Sequence, residues 1–161
     1  MLFRSAAFLA GYLIVWGGFS ALATLAQVEL IALGWIDDMG VTTGRVGAAV
    51  LLFAVGLYQW LPAKRACLAH CQSPVDFLVR EYRPGHTGAL QMGLRHGRYC
   101  LGCCWALMLL LFVGGVMNLL WVAAIAALVF AEKVIGRGRW LRHLIGVSAT
   151  LAGAGLLAGA L

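Results

Sequence analysis

Charge is what this sequence has least of. Asp, Glu, Lys and Arg together make up only 11% of its 161 residues, where an average soluble domain carries about 25%. Just six residues are acidic. Cysteine is missing from positions 1–66 and again from 105–161, so all five cysteines fall between 67 and 104. There is no P-loop, no GxSxG, no HExxH and no Rossmann fingerprint. Hydrolase and nucleotide-driven pump readings therefore have no motif to stand on.

What is present is apolar bulk. Hydrophobic residues make up 63% of the chain and the mean hydropathy is +0.92. A chain of this composition is expected to be an integral membrane protein with most of its surface facing acyl chains. The net charge of +6 does not imply nucleic acid. The basic residues lie between apolar runs, where Lys and Arg set orientation or meet anionic headgroups.

Four apolar runs divide the chain, at about 5–36, 46–61, 101–131 and 144–161. The uncharged part of the first, 5–28, is long enough to cross a hydrocarbon core of about 30 Å. Arg4 precedes it, and Ala21-Leu22-Ala23 resembles a cleavage site. The run exceeds a signal-peptide core of about 7–15 residues, so it reads as a span. Asp37-Asp38-Met39-Gly40 reads as a polar turn, and Pro62 ends the second run because proline cannot continue the helical ladder. The expectation is an all-α, polytopic membrane protein, a single domain of about four transmembrane helices. Residues 62–100 form a polar, cysteine-containing loop between the second and third, with a short helix at 63–70.

The third run holds 31 uncharged residues. It reads either as one long helix kinked at Gly114-Gly115 or as a hairpin turning there. The hairpin would put the basic segments 62–98 and 132–142 on one membrane face, as the positive-inside rule prefers. Its limbs, however, are shorter than the roughly 20 residues a span needs. The single kinked helix is the expectation, with 62–98 on the cytoplasmic side. The last run carries Gly146, Ser148, Ala149, Gly153, Gly155 and Gly159, small residues that let helices approach closely. It should pack on a partner helix, within the chain or in a homo-oligomer.

The cysteines carry the chemistry. Their odd number and tight grouping suit working thiols better than a structural disulfide framework. Cys67 and Cys71 are i and i+4 in CLAHC, one face of a helix. Cys100, Cys104 and Met108 continue at i, i+4, i+8, and Cys103 completes a CxxC with Cys100. A helix starting near Tyr99 would gather three thiols at the membrane surface with a thioether one turn deeper. Sulfur ligation suits Cu(I), and methionines such as Met108, Met117 and Met92 suit copper rather than zinc. A four-thiolate zinc site from Cys67, Cys71, Cys100 and Cys103 is the alternative. His96, four residues before Cys100, is the histidine best placed to join. His70 is a neighbour one residue off the Cys67/Cys71 face, and His86 and His143 read as solvated. Asn118, deep in an apolar run, should bond across helices or mark a function. Glu132-Lys133 should pair with each other at the interface, and Trp105, Trp121 and Trp140 should anchor or pack.

Three stretches, AGYLIVWGGFSALAT, LYQWLPAKRACLAHCQSP and GLRHGRYCLGCCWALMLLLFVGGVMNLLW followed by EK, resemble a bacterial family of predicted metal-binding integral membrane proteins. That family was formerly catalogued as a domain of unknown function and includes a membrane copper chaperone of a tyrosinase. The resemblance runs from about Ala10 to Trp140. Its cysteine motifs match Cys67, Cys71, Cys100, Cys103 and Cys104. It implies a copper chaperone in the bacterial inner membrane, with a cuproenzyme such as a tyrosinase or an oxidase as recipient. Family members carry a further N-terminal apolar segment with a Met-rich motif, whereas this chain begins almost at AGYL. The resemblance therefore implies a short member or a truncated start. The expected function is non-enzymatic handling of Cu(I). The alternative is a membrane thiol–disulfide oxidoreductase, relaying a disulfide between Cys67/Cys71 and Cys100/Cys103.

Overall fold

In the computed structural model, which describes residues 2–135 and 139–159, the chain is all-α. Its elements are α1 (Leu2–Ala32), α2 (Arg45–Trp60), α3 (Pro62–Gln72), α4 (Pro74–Arg80), α5 (Gly85–Met108), α6 (Leu111–Gly114), α7 (Leu119–Val134) and α8 (Arg139–Ala158). Arg137 of the basic segment and the last two positions of the final run lie outside the described residues. Three stretches, Phe3–Ala32, Gly85–Gly114 and Trp140–Ala158, are long and apolar enough to cross a membrane. The bent pair α2–α3, which turns by 67°, makes a fourth if counted as one span.

Local chemistry explains where the elements end. After α1, Asp37 Oδ1 accepts the backbone N–H of Met39 and Val41. That folds the 37–41 segment into a side-chain-stabilised turn. Leu61 is extended and Pro62 opens α3 at its first position, where proline's missing N–H costs nothing.

Two helix pairs build the body. α1 runs alongside α5 in parallel. Arg4 bonds Tyr82 near the start of both helices, and Tyr12 meets Cys100 further along. Glycines make this contact close: a Cβ on Gly93 would collide with the Phe8 carbonyl, and one on Gly11 with that of Leu90. α8 packs antiparallel on α2, with Gly146 against Trp60 and Gly153 against Ala49 and Phe53. The small-residue final helix thus finds its partner within the chain.

Two expectations are corrected. First, the third apolar run is not one kinked helix. Trp121 Nε1 donates to the Leu110 carbonyl at 2.8 Å, and Lys133 Nζ reaches Cys100 Sγ at 2.9 Å. From Trp121 to Lys133 the chain therefore retraces the path from Leu110 to Cys100. It reverses at Gly115, whose φ of +94° is open to glycine and strained for other residues. Asn118 then caps α7, accepting from Trp121 N at 3.2 Å. It is an exposed cap, not a buried cross-helix amide. The short limbs that counted against a hairpin are offset by α5, which begins fourteen residues earlier than Tyr99.

That early start is the second correction. The segment read as a polar loop is helical: α3, α4 and the first half of α5 occupy it. Gly88, Gly93 and Gly97 sit inside α5. A glycine costs a helix about 1 kcal/mol, but here Gly93 and Gly97 form the surface on which Phe8 and Val15 rest. The charges are also accommodated. Arg95 pairs with Glu81, and Arg83 with Gln91.

Candidate metal centre

The site is built where α3 crosses α5 and the end of α7 closes on both. Helical spacing puts Cys67 and Cys71 on the face of α3 that meets α5. Cys71 Sγ lies 3.7 Å from Cys103 Sγ and also adjoins Cys100. Cys67 occupies the flank: its sulfur lies 2.7 Å from where a Cβ on Gly102 would be. Tyr58 holds the same stretch of α5 by donating its hydroxyl to the Gly102 carbonyl.

Cys100, Cys103 and Cys104 are buried, while Cys67 and Cys71 are half-buried. All five are free. Cys103 and Cys104 donate S–H back to the Cys100 carbonyl at 3.0 and 3.1 Å. Cys100 differs: its sulfur accepts from the Lys133 ammonium at 2.9 Å and shares a hydrogen bond with the Tyr12 hydroxyl at 3.4 Å.

A cleft of about 310 Å³ opens onto these groups, lined by Phe8, Leu9, Tyr12, Cys71, His96, Cys100 and Lys133. Of the five cysteines, only Cys71 and Cys100 line it. His96 lies among the rings of Phe8, Tyr12 and Phe77, and its buried Nδ1 has no hydrogen-bond partner. Among the described residues no group of three or more His, Cys, Asp or Glu side chains is arranged to hold a metal ion.

The other candidates are dispersed. Met108 packs against the buried cluster that includes Cys103, Cys104 and Leu107. The Met92 sulfur accepts the backbone N–H of Arg83, and Met117 is exposed in the turn before α7. His70 stacks flat on Tyr99 at 4.2 Å and hydrogen-bonds the Ala66 carbonyl. His86 and His143 are exposed. Trp105 meets Tyr58 edge-on, Trp121 packs at the hairpin turn and Trp140 is exposed.

Glu132 and Lys133 do not pair with each other. Successive helical positions point about 100° apart, so Glu132 faces α3 and Lys133 faces α5. Glu132 takes Lys64 at 2.8 and 3.0 Å, with both side chains buried, and its carbonyl accepts Gln72 Nε2. Tyr12, Lys64, Glu132 and Lys133 are the site residues that sequence reading missed. The only signal was that four polar residues stand in or beside apolar runs.

The described residues form an all-helical protein with membrane-length helices and a cleft whose lining includes the thiols of Cys71 and Cys100. The chain belongs to the PpoB2 family, described as a copper chaperone, whose family model matches residues 2–156. No curated protein and no solved structure shows a significant match to the chain.

Proposed function

We propose that this protein is a bacterial inner-membrane metallochaperone that carries Cu(I) on the sulfurs of Cys71 and Cys100 and passes it to a cuproenzyme such as a tyrosinase or an oxidase. The observation that carries this reading is the meeting of Cys71 of α3 and Cys100 of α5 in one cleft, with Cys103 Sγ only 3.7 Å from Cys71. Soft sulfur ligands favour Cu(I), and two thiolates suffice for it. A closed zinc site needs four ligands. Transfer proceeds by exchange of one thiolate for the next, so no nucleotide site is needed. Cys71 is shared between the cleft pair and the interior pair, so it is the natural pivot. Cys103 and Cys104 receive the ion from it, and Met108 offers a thioether beyond them. His96 stands one turn before Cys100 with an unpartnered ring nitrogen. It is the ligand that guides the ion in, while Cys67 on the flank serves as an outer receiving thiol.

The test is metal content. The protein is purified in detergent under reducing, anaerobic conditions, and Cu, Zn and Fe are quantified beside a Cys71→Ser/Cys100→Ser variant. Copper near one per chain in the wild type, lost in the variant, is the expected result. Equal copper in both would sink the assignment.

A second reading is favoured by one distance. Reduced sulfurs at 3.7 Å across two helices are near enough to close into a disulfide at about 2.05 Å by exchange with a partner's disulfide, which leaves as two thiols. A membrane thiol–disulfide oxidoreductase would then work through Cys71–Cys103, not through the same-helix pairs. Mixed-disulfide trapping with Cys71→Ser, leaving Cys103 unpaired, separates the two: trapped partners support exchange chemistry, and none would leave the copper reading alone.

A further inference from the structure

We infer that Lys133 selects the charge of the ion this site accepts, making the cleft a site for a monovalent rather than a divalent metal. The inference rests on the copper-binding reading above and adds a specificity-determining residue to it.

The argument is a charge count. Thiols that ligate a metal do so as thiolates, so Cys71 and Cys100 bring two negative charges. Cys103 and Cys104 are engaged as donors to the Cys100 carbonyl and are not cleft-facing. A monovalent ion between the two thiolates leaves one net negative charge. The Lys133 ammonium, 2.9 Å from Cys100 Sγ, cancels it. A divalent ion with the same two thiolates is already neutral and leaves the Lys133 charge without a counterion. Cys100 is buried and Cys71 and Lys133 are half-buried, so an uncompensated charge there is costly.

The surroundings do not change the sum. Lys64 and Glu132 neutralise one another, and Arg95 is paired with Glu81. Tyr12 contributes an uncharged hydroxyl. His96 has no anionic partner at its buried Nδ1. Arg98 is exposed. Lys133 is therefore the cation that decides the balance at the cleft. α7 brings it there only because the hairpin folds back onto α5.

The experiment titrates the full-length, detergent-purified protein with Cu(I) and, separately, with Zn(II), each against a competing chromophoric chelator. Wild type, Lys133→Met and Lys133→Arg are compared. The expected result is that Lys133→Met shifts the Cu(I)-to-Zn(II) affinity ratio towards zinc by at least about tenfold, since a unit charge at this range is worth that much at intermediate dielectric. Lys133→Arg keeps the wild-type ratio. If Lys133→Met is not recovered as a monodisperse helical protein, Lys133→Gln carries the same test. An unchanged ratio, or equal losses for both metals, overturns the inference while the copper assignment stands. A wild type that binds no Cu(I) overturns the copper assignment itself.

Discussion

Lys64 and Glu132, 68 positions apart, form a buried ion pair with both carboxylate oxygens within 3.0 Å of the ammonium. Their side chains are 0% and 2% exposed. The pair ties the start of α3 to the end of α7, and Gln72 at the other end of α3 bonds the Glu132 carbonyl. α3 carries Cys67 and Cys71, and the residue after Glu132 is the one that touches Cys100. The ion pair thus fixes the relative position of the two halves of the thiol site. Removing one partner leaves a buried charge alone, at a cost of about 3–5 kcal/mol. Lys64→Met and Glu132→Met should each lower the midpoint of denaturant unfolding sharply. The Lys64→Met/Glu132→Met double variant should recover much of the loss. Additive losses in the double variant would show that the two residues do not act as a pair.

The two cysteines of α3 should behave differently. Cys71 lines the cleft and neighbours Cys103, whereas Cys67 rests on Gly102. Cys71→Ser should remove bound copper. Cys67→Ser should leave the stoichiometry intact and slow loading only. Metal analysis of both variants, with stopped-flow loading for the second, checks this. Equal loss in both would mean that the flank is part of the holding site.

Hairpin geometry fixes which ends of the molecule share a side. Arg80, after α3, and His143, near the start of α8, lie at the same end as Lys64 and Glu132. Met39 lies at the other, where Thr42 N bonds the Phe112 carbonyl. In a background with all five cysteines replaced by serine, Arg80→Cys and His143→Cys should label from one membrane face. Met39→Cys should label from the other. Labelling of positions 80 and 143 from opposite faces would restore the single long helix.

Close approach of α1 and α5 depends on missing side chains. A Cβ on Gly93 has nowhere to go but into the Phe8 backbone, and overpacking of this kind costs about 1–3 kcal/mol. Gly93→Ala should lower the thermal midpoint and loosen the Tyr12–Cys100 contact about two turns further along α5. Gly17→Ala, where a Cβ meets nothing within 4 Å, is the matched control and should hold or raise the midpoint, because alanine gains about 1 kcal/mol over glycine inside a helix.

Several features are legible in the sequence alone. The turn at Asp37 and the stop at Pro62 follow from rules that act over three or four residues. So do the short helix after Pro62 and the shared face of Cys67 and Cys71. The partnering of the final helix was also legible, because small residues at helical spacing have one common use in an apolar chain. The helical run of α5 through this polar segment depends on partners from elsewhere in the chain. Gly93 and Gly97 are costs to α5 taken alone and become assets once α1 lies against them. Arg95 ceases to be a loop residue once Glu81 faces it. Neither fact is visible along the sequence, because the partner lies more than ten residues away.

The sequence by itself determined that the chain is helical and apolar, that its five cysteines gather between 67 and 104, and on which helix faces they stand. These follow from composition and from the helical period, which are local. The tertiary structure decided which sulfurs meet and what charge meets them. Reversal at Gly115 returns α7 along α5, and only that reversal sets Lys133 on Cys100 and Glu132 on Lys64. Such pairings depend on how three helices pack, and packing is a property of the whole chain rather than of any segment of it.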